Sequence, residues 1–308
     1  MKEPIHVKIL RQSARAEGLY FKKFDPEGAL HLVGDSKKAF LLDRAATELT
    51  SKISYILADN KRMTVSALDY FGLPVPKQKL VQGYEKAVDF FRRHCPVVVK
   101  PNKSSLGKGV TVGVKTIGQL KSAFEFAKKY GREILIEEFI PGEDFRVTVI
   151  DYKRVFVIKR VPAFVVGDGE HSVKFLVNEK NQIKKKYKKP IKLDGASAQR
   201  LKEQGYNFHS VLGKGSIAYL RRAANIAEGG TSIDCTDLIS KELKALAIKA
   251  CRALKLPCAG VDIITEDIGG NKGVIIEVNP RPHIVIHRYP HVGRARYPGR
   301  EIMKMLFR

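Results

Sequence analysis

The sequence predicts an α+β protein, and three observations carry that expectation. Residues 97–161 alternate hairpin patterns with one helix pattern, rather than repeating strand–helix–strand units. Residues 5–58 string short apolar runs (IHVKIL, ALHLV, AFLLD) between turns at Gly18, Gly28 and Gly34, which fits short strands with one helix. A strongly periodic helix at 240–256 precedes two apolar strands, 259–265 and 273–279.

The elements follow in order. Residues 60–76 read as a helix, because Met63, Ala67, Leu68 and Phe71 share a face and Gly72 and Pro74 stop it. The apolar run 97–99 is a buried strand ending at Lys100 and Pro101, with 110–114 as its hairpin partner. Residues 117–131 form a helix closed by Gly131. ILIEEFI, FRVTVI and RVFVIKRV are strands separated by PGED and DYK turns. Residues 169–215 are polar, Lys-rich and punctuated by Gly, so a long active-site loop or a small helical excursion is expected. The tail REIMKMLF is a short helix, and no internal repeat of fixed period is present.

The 308 residues are 44% hydrophobic, too apolar for a wholly disordered chain. No apolar run approaches the roughly 20 residues of a membrane span. The start, MKEPIHVKIL, lacks the apolar stretch of a signal peptide, and the four cysteines have no CxxC spacing. These features point to reduced thiols and a cytoplasmic protein. The net charge of +24 first suggests a nucleic-acid binder. Its distribution is uneven. Residues 180–192 hold seven Lys and no acid, and residues 281–300 hold five Arg and no acid, so two short stretches carry half of the excess. Such a focused field attracts nucleotide phosphates, acidic peptides or RNA alike. A solvated surface loop is the competing reading of the lysine run.

Three features carry chemistry. Lys100 ends a strand and is followed by Ser104, Ser105, Leu106, Gly107, Lys108 and Gly109. Glycine allows close backbone approach, and consecutive N–H groups can cradle phosphate oxygens. The spacing is neither a P-loop nor a dinucleotide fingerprint, and a plain turn is the alternative. Asp262 interrupts the apolar strand AGVDIIT, while Glu277 and Asn279 lie two apart, hence on one face, in GVIIEVN. A carboxylate in such a strand is costly unless paired or bound to metal. If the two strands are antiparallel neighbours, these residues supply three oxygen ligands suited to Mg²⁺ on nucleotide phosphates. The alternative is strand-end acids hydrogen-bonded to a loop. Arg221 and Arg222 precede Asn225 and the Gly229–Gly230 doublet, a composition suited to clamping a transferring phosphoryl group, or to surface arginine before a turn.

VVVKPNKSSLGKGV, ILIEEFIPGEDFRVTVI, RVPAFVVGDGEHSV, YLRRAANIAEGGTSIDCTD and AGVDIIT with GVIIEVNP occur in this order with matching gaps. Together they resemble the ATP-grasp ligases. The form resembled is the module carried by cyanophycin synthetase and by the bifunctional glutamate–cysteine ligase/glutathione synthetase. The resemblance covers residues 34–307. It implies two α+β lobes clasping ATP, at 61–160 and 161–308, after a short N-terminal α/β segment at 1–60. It also implies a Lys-rich substrate-side loop at 178–212.

Residue by residue, the resemblance places Lys100 and the 104–109 loop on the nucleotide phosphates. Glu137, Glu138, Phe139 and Ile140 would read adenine, Asp144 would bind ribose, and Lys61 would lend a further cation. Arg160, Arg221 and Asn225 would surround the transferring phosphate and acyl group. Asp262, Glu277 and Asn279 would ligate Mg²⁺, with two ions expected. Lys184, Lys185, Lys186, Arg281 and His287 are candidates for an acidic substrate. The implied reaction joins a carboxylate to an amine, forms ADP, and passes through an acyl phosphate. The substrate would be an amino acid or acidic peptide, and a homo-oligomer is among the expected assemblies. The competing expectation is an ATP-grasp scaffold that binds nucleic acid or another polyanion without ligase activity.

Overall fold

The computed structural model describes residues 3–25, 29–103, 107–183 and 189–308. Ser104, Ser105, Leu106 and the lysines 184–186 therefore lie outside the described residues. The chain forms two compact units that interleave in sequence. One comprises Met1–Gln78, Ile140–Lys159 and Asp234–Arg308, and the other Lys79–Phe139 and Arg160–Ile233. Both mix helices with antiparallel sheet, as an α+β fold requires.

In the first unit, the apolar run IHVKIL opens a helix, Ile5–Ala16, and a second begins at Lys52, where one helix was expected over 5–58. Val7, Leu10 and Ala14 recur at three- and four-residue intervals and are buried, so helical periodicity wins over the short-run signal. A small antiparallel sheet follows, with Tyr20–Lys23, Leu30–Gly34, Ala39–Asp43 and Ala46–Thr47 paired in sequence order. Two helices come next, Lys52–Asp59 and Lys61–Tyr70. Ser51 and Asn60 cap them by accepting hydrogen bonds from the backbone N–H groups of Ser54 and Met63.

The larger sheet of this unit sets Glu143–Ile150 beside Cys258–Thr265, which in turn pairs with Val274–Asn279. Both pairings are antiparallel, as the reading of Asp262 beside Glu277 required. The amphipathic helix Lys241–Ala253 buries Leu243, Ala247, Ala250 and Cys251. The tail helix, Pro298–Leu306, packs on the first helix so closely that a Cβ at Gly299 would lie 2.4 Å from Ser13 Oγ.

In the second unit, a four-stranded sheet runs in the order Gln78–Val81, Ile134–Glu138, Val97–Pro101, Thr111–Val114. Helices Tyr84–His94 and Ile117–Lys128 cover one face. There Val97, Val99, Ile134 and Ile136 join Phe90, Phe91, Leu120 and Phe124 in one core. The 169–215 stretch contributes two helices, Val173–Gln182 and Gly195–Lys202. Their buried residues close a second core with the antiparallel strand pair Phe164–Val166 and Ile217–Tyr219. Asp194 and Ser197 form a reciprocal capping box that starts the second of these helices.

Among the described residues, no helix is long and apolar enough to cross a membrane. All four cysteines are free thiols, and burial pushes the Cys258 thiol up to about 12.

Candidate active site

In the second unit, strand alternation decides which side chains leave the core. Val97 and Val99 face the helices, so Val98 and Lys100 point the other way. On the neighbouring strand, Ile134 and Ile136 face the core and Leu135 and Glu137 do not. The register sets Lys100 opposite Leu135 and Val98 opposite Glu137. Lys100 and Glu137 thus meet on the diagonal, with Lys100 Nζ donating to Glu137 Oε1 at 2.7 Å. Both side chains are buried, at 7% and 5% exposure. The second carboxylate oxygen of Glu137 is buried without a hydrogen-bond partner. A buried acceptor in that state suits a ligand donor, such as an exocyclic amine. Next to it, the Phe139 backbone N–H donates to Pro96 O, and Glu138 is half-buried opposite Val97.

The glycine loop and the arginine segment converge within this unit. Gly107 and Gly109 hold φ of +72° and +74°, the left-handed region that glycine tolerates. A Cβ at Gly107 would come within 3.7 Å of Asn225 Nδ2. Arg222 donates to Val112 O at 3.0 Å, tying its segment to the strand after the loop. Lys108 is exposed on the loop. Arg221 is buried, donates to Asp194 Oδ2 at 2.8 Å and lies 3.4 Å from Glu228 Oε2. Asn225 Oδ1 accepts from the Ala227 N–H, capping a single 3-10 turn that ends at Gly229. The Gly229–Gly230 doublet closes this turn tightly, since a Cβ at Gly230 would meet Asn225 O at 2.7 Å. Arg160 is half-buried near the end of the strand Arg154–Val161.

In the first unit, Asp262 lies directly opposite Glu277 in the strand pair, and Gly260 opposite Asn279. The three candidate ligands therefore share one face. Asp262 is 2% exposed. On its other flank the register partner is Arg146, whose Nε and Nη2 both donate to the Asp262 carboxylate. Gly260 makes room for this fork, because a Cβ there would lie 2.9 Å from Arg146 Cδ. Lys61, buried at the first turn of its helix, places Nζ 3.6 Å from Glu277 Oε1. Asp144, half-buried, is the register partner of Ile264. Ile140 opens this unit's second segment.

The donor set fits a hard cation in part. Two carboxylates and an amide on one face offer oxygen ligands. Asn279 Nδ2 is buried without a hydrogen-bond partner. Among the described residues, no three His, Cys, Asp or Glu side chains group around a metal position, so Asn279 is a necessary member of the set. Sequence reasoning missed Arg146. The signal was present in FRVTVI, where a lone charge interrupts an apolar strand, as Asp262 does in its partner.

Arg281 and His287 have other engagements. Arg281 pairs with Asp43 at 2.8 Å. His287 is fully buried, its Nε2 2.8 Å from Thr148 Oγ1, and its Nδ1 has no partner. Burial, and then the nearby Arg146 charge, hold the His287 pKa down to about 3. The imidazole is then neutral in the folded state and takes a proton on unfolding below its ordinary value of about 6.5. Its contribution is intact above that value and is lost as pH falls toward 3. The urea midpoint should therefore drop between pH 6.5 and 5, and the His287→Gln variant should show a shallower drop. Equal slopes would remove His287 from the acid response.

The ATP-grasp domain model matches residues 58–284, well over half of the chain. Cyanophycin synthetase of Nostoc sp. is 36% identical over 274 residues, covering 85% of this chain and 30% of that protein. The glutathione biosynthesis bifunctional protein of Clostridium perfringens is 34% identical over 319 residues, covering 98% of this chain and 41% of that one. The crystal structure of a bifunctional glutathione synthetase from Pasteurella multocida superposes with a TM-score of 0.73 at 29% identity, over 98% of this chain and 44% of that chain. The chain thus spans less than half the length of each of these relatives. By its sequence and its fold, it belongs to the ATP-grasp family.

Proposed function

We propose that this chain is an ADP-forming carboxylate–amine ligase that makes an amide bond through an acyl phosphate. The observation that carries the reading is the joint presence of two polar arrays, the first buried and the second anchored on the buried Asp262. One is the Lys100–Glu137 pair with its unpartnered carboxylate oxygen. The other is the opposed Asp262, Glu277 and Asn279 face.

In this reading Lys100 and the N–H groups of the 104–109 loop bind the nucleotide phosphates. Glu137, with the backbone of Glu138, Phe139 and Ile140, reads the base, and Asp144 reads the ribose. Lys61 adds a positive charge. Arg160, Arg221 and Asn225 orient the carboxylate and stabilise charge on the transferring phosphoryl group. Asp262, Glu277 and Asn279 would hold up to two Mg²⁺, which would offset charge on the phosphates. The carboxylate takes the γ-phosphoryl, the amine attacks the acyl carbon, and phosphate leaves. Most of the protein's contribution is positioning and preorganised charge. Closure of the glycine loop protects the acyl phosphate from water.

The substrate class we infer is an amino acid or acidic peptide, attracted by the lysine run. A screen of ADP release over pairs of acids and amines tests the activity, and no amine-dependent ADP with any pair overturns it. Changing Lys184, Lys185 and Lys186 to Gln should raise KM for the carboxylate substrate several-fold at unchanged KM for ATP. An unchanged carboxylate KM makes the run solvated surface. The competing reading, a polyanion-binding scaffold without ligase activity, rests on the net charge of +24 alone.

A further inference from the structure

Each acid of the candidate metal face carries a cation of the chain's own. Asp262 is held by the two-pronged fork of Arg146, and Glu277 lies 3.6 Å from the Lys61 ammonium. Residues directly opposite on an antiparallel pair are roughly 4.5–5.5 Å apart at Cβ, so the two carboxylates repel each other unless countered. The arrangement is built in. The glycine at 260 is what lets the Arg146 stem lie across the strand, and a Cβ there would also fall 3.2 Å from Nη1. Asn60 caps the helix whose first residue is Lys61, fixing where that side chain begins. The charges are also shielded, with side-chain exposures of 10% for Arg146, 3% for Asp262 and 10% for Lys61. Charges this poorly solvated interact more strongly than surface pairs do.

We propose that Arg146 and Lys61 are built-in counter-cations that keep Asp262 and Glu277 from holding a divalent cation until a nucleotide brings one. The inference rests on the metal role proposed above for those two acids. A pair of bare carboxylates beside an amide would take up a dication by themselves. With a guanidinium and an ammonium already in place, a dication arriving alone meets little net attraction and two repulsive neighbours. A dication arriving on polyphosphate brings compensating negative charge, so the metal enters as the nucleotide complex. Arg146 and Lys61 are positioning residues in this role.

The test is water-proton relaxation enhancement with Mn²⁺ as the probe, on the whole chain. Wild type should show little enhancement with Mn²⁺ alone and a clear one when a non-hydrolysable ATP analogue is added. Lys61→Met should bind Mn²⁺ without nucleotide about tenfold or more tightly than wild type does. Arg146→Met should do the same where circular dichroism shows it folded. Lys61→Met decides alone if the Arg146 variant does not fold, because Glu277 is 30% exposed and tolerates loss of its partner better than Asp262 does. Arg146→Lys, which keeps the charge, should stay close to wild type. Nucleotide-free binding in wild type as tight as in Lys61→Met overturns the inference and leaves the metal role standing. Wild type that gives no enhancement even with the analogue overturns the metal role itself, and the inference with it.

Discussion

Lys100→Met should lower amine-dependent ADP formation by about 10²- to 10³-fold, the usual cost of removing one preorganised charge contact to a transferring group. It should also destabilise the fold by about 3–5 kcal/mol, because the buried Glu137 loses its ion-pair partner. The two effects can be separated. Pairing the change with Glu137→Gln removes the buried charge while keeping the side chain's size, so urea unfolding should recover most of the lost stability. ADP release should not recover. If the double variant regains both, Lys100 serves the fold and not the phosphates. If single-variant turnover equals wild type at saturating ATP, the phosphate role is excluded outright.

The unevenness of what the sequence disclosed has a physical basis. Helices such as Lys61–Tyr70 and Lys241–Ala253 were legible because apolar spacing and helix-stop residues are local signals. The face of the former was misjudged: it buries Thr64, Val65 and Leu68 with Lys61, and Phe71, expected on the apolar face, lies exposed beyond its end. The strands around Lys100 and Asp262 were legible for the same reason, being short apolar runs with one polar interruption each. The first helix was not, because an apolar run of six residues fits both periods and only Leu10, Ser13 and Ala14 beyond or at its end settle the matter. Pairing partners were harder still. That Lys100 would meet Glu137 depends on a diagonal across two strands, and that Arg146 would fork onto Asp262 depends on a register linking residues 116 positions apart. Gly260 shows the limit clearly. Its purpose is to leave space for a side chain from another strand, and an isolated glycine carries no sign of what passes over it. The interleaving of the two units is of the same kind, since a linear reading divides a chain into contiguous stretches.

Asp262→Asn should reduce amine-dependent ADP formation to background while secondary structure survives. The variant keeps the shape of the side chain but removes its charge both from the proposed metal face and from the Arg146 fork. Loss of one partner of a buried pair typically costs about 3–5 kcal/mol, so a lower urea midpoint is expected as well, and low activity alone would be ambiguous. The second substitution resolves it. Adding Arg146→Met replaces the orphaned guanidinium with an apolar chain of similar length, a change that often restores or raises stability at such sites. The double variant should regain its midpoint and remain inactive. Its nucleotide analogue binding should also lose its dependence on added Mg²⁺, a readout that stability does not move. Recovered turnover in the double variant would make the Asp262–Arg146 pair a structural strut and shift the metal assignment onto Glu277 and Asn279. Inactivity at full stability assigns the Asp262 charge to the reaction.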